Sequence, residues 1–396
     1  MSLEILQITN RLPWPLNDGG NIATWQLSKA LIDRGHRICL ASLNTRKHFQ
    51  NPKDIPGLAE IHTVDIDTTV TRSGLVRGLF SSFPYNVKRF WSDDFAALLE
   101  KLVRDNDFDL VQLEGSYLSQ YIPVLRKAGA KKIVLRSHNV EHQIWDRLAG
   151  EEKNFLKRVY LKNLSPKIRR FEKGQLLTYD GIAAITPEDA RWYQHTGFSG
   201  KLKVLPAGAD LKRFQPSDQL KTGRLGFLGS MEWMPNVQGL KWFLQEVWTD
   251  LYQSFPDKEL HVAGKNPPDW MGNWKVAGMH FHGMVPDAAA YLQQIDIFLV
   301  PLLSGGGMRL KILEAMSAGN CVLSTSIGAE GIAAKDGEEI WIADTPTQMR
   351  EKLEMLLRKP EIARATAAKA LKLVRETYTW DKIAEGFSEF YGEVLA

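Results

Sequence analysis

What most constrains this chain is a rhythm that runs through it twice. Short apolar runs of strand character alternate with longer segments of helical spacing. In residues 1–212 the strand-like runs are Glu4–Thr9, Arg37–Leu43, Asp109–Leu113, Ile133–Leu135, Gly181–Ile185 and Lys203–Leu205. After the first of them Ile22, Trp25, Leu27, Leu31 and Ile32 recur at roughly helical spacing until Arg34-Gly35 ends the pattern. Strands that are apolar along their whole length, joined by helices, predict a parallel sheet covered on both faces. The polar stretch Phe214–Gly223, which carries Pro216 and Gly223, breaks the pattern and reads as a linker. The rhythm then restarts at Leu225–Leu228, Leu260–Val262, Met279–Phe281, Ile297–Val300 and Val322–Ser324, with helices such as Gln238–Tyr252 between them. Two Rossmann-like α/β domains follow, 1–212 and 222–379. The tail 380–396 reads as an amphipathic helix, with Ile383, Phe387, Phe390, Tyr391 and Val394 on one side.

Composition agrees with two domains. The 396 residues are 44% hydrophobic and 24% charged, enough apolar matter for two cores. A formal charge of +4 is too small to argue for nucleic acid, and neither zinc-finger spacing nor an RNA-binding aromatic signature is present. Cys39 and Cys321 sit in apolar strand-like runs, as reduced and buried thiols of a cytosolic protein would. No run of about 18 apolar residues occurs, so the expectation is a soluble chain that at most lies on a membrane surface. The charge is unevenly placed. Lys153, Lys157, Arg158, Lys162, Lys167, Arg169, Arg170 and Lys173 interleave with Phe155, Leu156, Val159, Tyr160, Leu161, Leu164, Ile168 and Phe171. That segment reads either as a solvated helix face or as a surface for anionic lipid or a lipid-linked phosphate.

The stretch with most chemistry is Ser304–Ala315, SGGGMRLKILEA. It follows the strand-like run ending at Pro301, and the spacing predicts a helix from near Met308. Gly305, Gly306 and Gly307 would leave backbone N–H groups bare at a helix start, where they and the helix dipole attract phosphate. Arg309 and Lys311 add charge-assisted donors, and Arg suits bidentate contact. Glu314 fits an anion poorly, but a carboxylate accepts well from a ribose diol. Phosphate beside diol means a nucleotide. The competing reading is a plain surface pair of Lys311 with Glu314.

Other candidates sit on loops that follow strands, where open parallel sheets bind ligands. Gly19 and Gly20 open the first helix and would admit an anionic or sugar ligand close to the backbone. His138 follows the Ile133–Leu135 run. Glu114 and Glu141 could orient an acceptor, or else cap helices. Asp65-Ile-Asp67 has a D-x-D spacing that would suit a metal, but its alternating strand-like setting reads as surface carboxylates, and no metal site is expected.

Taken together, these segments resemble glycosyltransferase family 4, which has the GT-B fold. The resemblance is carried by SGGGMRLKILEAMSAGNCVLSTSIGAEGI, by DGGNIATWQLSKALIDRGH near the start, by VLPAGADLKRFQP, and by FHGMVPD followed by DIFLVPL, in the family's order over nearly the whole chain. It implies two Rossmann-like domains with a cleft between them, the last helix returning to the N-terminal domain, and a nucleotide-sugar held mainly by the C-terminal one. Glu314 matches the second glutamate of the family's E-x7-E motif, which grips the ribose; the first falls at Gly306. Gly305, Gly306, Gly307 and Met308 would then meet the donor through their backbone. The Arg and Lys expected after the first strand of the second domain are replaced at Ser230 and near Asn236, so Arg309 and Lys311 are expected to take over the diphosphate. His138 matches the active-site histidine, and Gly283, Met284 and Val285 match the turn that contacts the base. The implied reaction moves a sugar from a nucleoside diphosphate to a hydroxyl of a glycan or lipid-linked acceptor. Anomeric configuration is retained, no metal or other cofactor is needed, and the setting is the cytoplasm or the inner face of the cell membrane. A sugar-nucleotide epimerase and a non-catalytic nucleotide- or glycan-binding protein of the same fold remain as alternatives.

Overall fold

A computed structural model describes residues 2–58, 60–217, 223–267, 271 and 276–396. It divides the chain into two compact units, Met1–Pro206 with Trp380–Ala396, and Ala207–Thr379. The expected linker Phe214–Gly223 belongs to the second unit, and its residues 218–222 lie outside the described ones. The reason is visible at its start. Phe214 is buried in that unit's core, and Ala209 donates its N–H to Tyr378 O, which ties the segment to the unit's last helix.

The first unit holds seven parallel strands: β1 (Glu4–Thr9), β2 (Arg37–Thr45), β3 (Glu60–Ile66), β4 (Leu110–Glu114), β5 (Ile133–Ser137), β6 (Gly181–Ala184) and β7 (Lys201–Val204). Their order is β3-β2-β1-β4-β5-β6-β7. The second unit holds β8 (Leu225–Leu228), β9 (Leu260–Ala263), β10 (Met279–Phe281), β11 (Ile297–Val300), β12 (Cys321–Ser324) and β13 (Trp341–Ile342), in the order β10-β9-β8-β11-β12-β13. All pairings are parallel, in register from Glu4 with Arg37 to Ser324 with Ile342. Two strands extend the sequence reading. β3, an edge strand, carries Glu60, His62, Thr63 and Asp65 among its apolar residues and has no buried position, and β13 is only two residues long.

Each sheet is covered by helices on both faces, as the apolar strands require. In the second unit one core gathers Leu225, Phe227, Leu260, Val262 and Trp248, and the opposite one gathers Phe298, Val300, Leu313 and Met316. The expected helix Gln238–Tyr252 is a composite: α-helix over Met234–Phe243, a π-helical stretch over Leu244–Trp248 and α-helix over Thr249–Ser254. The last helix, Trp380–Leu395, belongs to the first unit and buries Ile383, Phe387, Phe390, Tyr391 and Val394. Both cysteines are buried free thiols. Among the described residues no helix is long and apolar enough to cross a membrane.

Strand order also says where to look for a site. In an open parallel sheet the crevice lies past the carboxyl ends of the strands, where the order reverses. That point is between β1 and β4 in the first unit, and between β8 and β11 in the second.

Candidate functional site

At the switch point of the second unit two loops come together, one after β8 and one after β11. The loop after β11 carries the three glycines. Gly305 has φ 124° and Gly307 φ 74°, conformations that side chains rarely allow. A Cβ at residue 305 would also lie 2.5 Å from Arg309 Nη2 and 3.1 Å from the Trp233 ring. The loop is therefore closed down on its own arginine. Arg309 is buried, donates to Gly306 O and to Gly307 O (2.8 Å), and lies 5.0 Å from the centroid of the Trp233 ring. Trp233 belongs to the loop after β8, so this cation–π contact ties the two loops. The helix begins at Leu310, two residues later than the spacing predicts, because Arg309 still has extended backbone.

Lys311 points back toward β8. Its Nζ donates to Leu228 O (3.1 Å), the last residue of the strand, and to Asn236 Oδ1 (2.9 Å), and lies 4.8 Å from the Phe227 ring centroid. Asn236 is itself held by its Nδ2 on Ser230 O (2.9 Å). The position near Asn236 that lacks a lysine in sequence thus receives a lysine amine in space. Burial, then the Arg309 charge, pull the Lys311 pKa down to about 7. Glu314, one turn on, is pushed up to about 7 by burial, with Arg213 and Lys311 opposing and Asp210 adding to the rise. Among the described residues no side chain hydrogen-bonds the Glu314 carboxyl, and no ion pair joins it to Lys311. The plain surface pair is not formed. Instead the site holds a cation and a carboxyl that both lose stability by being charged.

Gly283, two residues past the edge strand β10, has φ 64° and accepts from Gly264 N (2.8 Å). Met284 beyond it is exposed, and Val285 packs on the core. Met308 rests partly on that same core. Ser304 Oγ is buried, without a hydrogen-bond partner among the described residues.

In the first unit the residues at the switch point are already bonded to one another. Glu114 ends β4 and is buried. Its carboxylate accepts from Gln7 Nε2 (2.7 Å) and Gln112 Nε2 (2.6 Å), from His138 Nε2 (2.7 Å) and from Arg136 Nη1 (3.3 Å). Burial alone would raise its pKa; Arg136 and His138 reverse this and hold it at about 2. The network extends through Gln7 to Ser28 and through Gln112 to Tyr391 of the last helix. Glu114 is thus a partner of His138. In the neutral ring, an Nε2–H directed at this carboxylate leaves Nδ1 as an acceptor.

The other candidates are placed apart from this network. Gly19 and Gly20 open the helix Gly19–Asp33, which Asp18 already caps by accepting from Asn21 N (3.0 Å) while pairing with Arg11 (2.7 Å). Glu141 begins the helix Glu141–Glu151, and its N–H is held by Glu172 Oε1 (2.8 Å). Burial and then Glu172 push its carboxyl up to about 7. Asp65 accepts from Asn44 (2.9 Å), whereas Asp67 pairs with Arg46 (3.3 Å), so the two carboxylates of the D-x-D spacing serve separate partners. One group with metal-ligand geometry occurs among the described residues: Cys39, Glu60 and His62 have ligand atoms within 4.8 Å of one another, near the amino ends of β2 and β3.

Sequence reasoning missed Gln7, Gln112 and Arg136. Each interrupts an otherwise apolar strand, and a polar residue inside a buried strand was the available signal. It also missed Trp233, which no spacing ties to Arg309.

Comparison with known proteins now decides the family. The model described as Glycosyltransferase Family 4 matches residues 17–213, and that described as Glycosyl transferases group 1 matches 222–359. The chain is a family 4 glycosyltransferase. An uncharacterized 44.6 kDa protein in the cps region of Klebsiella pneumoniae is 24% identical, over 98% of this chain and 99% of that protein. A phosphatidyl-myo-inositol mannosyltransferase of Mycobacterium leprae is 25% identical over 54% of this chain and 59% of its own length. Among solved structures, the sucrose-phosphate synthase of Thermosynechococcus elongatus superposes with a TM-score of 0.70 at 17% identity, covering 98% of both chains. Anabaena HepE, solved with UDP and glucose, gives 0.66 at 12% identity, again over 98% of each. The glycosyltransferase thus has the GT-B fold of these structures.

Proposed function

We propose that this glycosyltransferase takes a sugar from a nucleoside diphosphate and passes it, with retained configuration, to a hydroxyl of a glycan or lipid-linked acceptor. The observation that carries the reading is the presence of Lys311 and Glu314, one turn apart and not paired, at the β8–β11 switch point. An amine and a carboxyl are each held there with a perturbed pKa and without each other as partner. A diphosphate supplies the charge Lys311 lacks, and a ribose diol supplies donors for Glu314. Arg309 keeps the glycine loop closed around the phosphate position. Negative charge that develops on the departing diphosphate is met by Lys311, by loop N–H groups and by the start of the Leu310–Ser317 helix. His138 Nδ1 accepts from a donor-sugar hydroxyl, and Glu114 fixes its tautomer. The departing phosphate takes the acceptor's proton, so no protein base is assigned, and no metal enters the scheme.

HepE, a structural neighbour crystallised with UDP and glucose, supports a nucleotide donor, and the mannosyltransferase relatives support a lipid-linked acceptor. The test is calorimetric titration with a panel of nucleoside diphosphates and their sugar conjugates, followed by donor hydrolysis with and without EDTA. The expected result is binding of one nucleotide class and slow, EDTA-insensitive hydrolysis. No binding by any nucleotide would refute the reading. One observation favours a second reading, a non-catalytic nucleotide binder: Gly306 stands where the family's first glutamate contacts the sugar. Binding without any hydrolysis would select it.

A further inference from the structure

The helix Arg72–Phe80 has its amphipathicity reversed. Its one buried residue is Gly78. Gly74 and Gly78, one turn apart, lie so close to Tyr85 that a Cβ at 74 would fall 2.2 Å from its hydroxyl and one at 78 would fall 2.9 Å from its Cβ. Lys167, from the helix Phe155–Gln175, fastens the end of this helix by donating to Gly78 O (2.8 Å) and Leu79 O (2.9 Å). Two of its apolar residues point the other way, while Leu75 and Leu79 are half-buried. Val76 is exposed, and Phe80, one turn later, is 88% exposed. A helix of a water-soluble domain normally buries such residues and exposes the small or polar ones.

The neighbouring helix continues the surface. Its first turns expose Phe155 (65%), Leu156 (76%) and Val159, while Tyr160 faces Gly78. Phe83 packs edge-on against Phe171, so the two segments are joined at both ends. Cations surround the apolar residues: Arg72, Arg77, Lys88, Lys153, Lys157, Arg158 and Lys162 are all exposed. Neither 68–92 nor 153–171 contains an aspartate or glutamate. A patch this apolar marks an interaction site. Every charged residue of these two segments is a cation, with Glu152 and Asp146 meeting Asn154 and Ser165 at the margin, and this excess of positive charge selects an anionic bilayer as the occupant.

We propose that the paired helices Arg72–Phe80 and Phe155–Gln175 form a membrane-docking face that sinks Val76, Phe80, Phe155 and Leu156 into an anionic leaflet, with the surrounding Lys and Arg on the headgroups. The inference goes beyond the donor reading and stands without it. It does fit a lipid-linked acceptor, which is presented at such a surface.

Vesicle co-sedimentation tests it with the full chain, on phosphatidylcholine alone and on equimolar phosphatidylcholine and phosphatidylglycerol. Wild type binds the anionic vesicles, less as salt rises, and leaves the neutral ones largely unbound. Val76→Ser with Phe80→Ser, at exposed positions that leave the fold intact, lowers the partition coefficient about tenfold or more. Lys157→Glu with Arg158→Glu removes the preference for anionic lipid. Equal partition of wild type onto both vesicles overturns the proposal, and so does wild-type binding by the serine variant. A dimer in light scattering that the serine variant abolishes also overturns it, because the face would then belong to a second copy. Nucleotide affinity is unchanged in the serine variant, so failure of docking and failure of the donor reading are read separately.

Discussion

Two glutamates, each at the switch point of its own sheet, show what separates a scaffold from a site. Glu114 is met by four donors and held at a pKa of about 2. Glu314, in the second unit, has no side-chain donor among the described residues and is pushed up to about 7. Glu114 is buried, whereas Glu314 is half-buried. The first is satisfied before any ligand arrives, and its energy goes into the fold. The second is left to be satisfied by something else. Lys311 repeats the lesson with opposite charge, since its two hydrogen-bond partners are neutral oxygens and no ion pair holds it among the described residues.

The largest effect follows from the satisfied member. Glu114→Gln leaves the Arg136 guanidinium buried without its counter-charge, and unfolding in urea should show a loss of about 3–5 kcal/mol. A loss near zero would mean that the network is not the fixed element argued here. On the other side, Lys311→Met removes a half-buried charge whose hydrogen-bond partners are neutral oxygens. It should leave the ligand-free protein as stable as wild type or more so, while weakening nucleoside diphosphate binding about 10- to 100-fold, as expected for a charge-assisted contact. A destabilised variant with full affinity would reverse the assignment. Glu314→Ala should cost about tenfold in affinity for a ribonucleotide and nothing for its 2′,3′-dideoxy analogue, because only the ribose offers the diol. Equal loss for both would remove the carboxyl from the ribose.

A further effect is in pH. The Lys311 pKa falls from 10.5 to about 7 on folding, so the unfolded chain holds the extra proton between those values and stability rises with pH across that window. The Glu314 pKa rises from 4.5 to about 7, so the folded chain holds the extra proton and this contribution is lost as pH rises through that range. Both groups together put a minimum near neutral pH in the ligand-free stability curve. Thermal unfolding of wild type against Lys311→Met and Glu314→Gln across pH 5–10 should show each variant losing one arm of it.

How much of this was legible in the sequence depends on range. β1, β8, β10 and β11 match their apolar runs to the residue; for all but the edge strand β10 the reason is that a buried parallel strand declares itself locally. β13 was missed, since two residues carry no period, and the Gln238–Tyr252 helix was seen without its π-helical turn. The candidate site was legible as a list of residues but not as a device. Lys311 and Asn236 meet across 75 positions, and nothing local says that the lysine turns back to β8. Arg309 reads as a phosphate ligand in the string SGGGMRLK, whereas its side chain braces Gly306 and Gly307 and stacks on Trp233. Glu114 was legible as a polar residue at a strand end, but its four donors come from three other strand positions and a loop. The reversed helix Arg72–Phe80 went unread because its pattern of Gly and apolar residues does not reveal which side packs.

The most direct measurement is the proton balance of nucleotide binding, by calorimetry near pH 8 in buffers of different ionisation heat. A diphosphate seated on Lys311 raises the pKa of the amine, so wild type should take up protons as the nucleotide binds, and Lys311→Met should bind more weakly without that uptake. Binding with the same affinity and proton balance in both proteins, or no binding of any nucleoside diphosphate, would contradict the account.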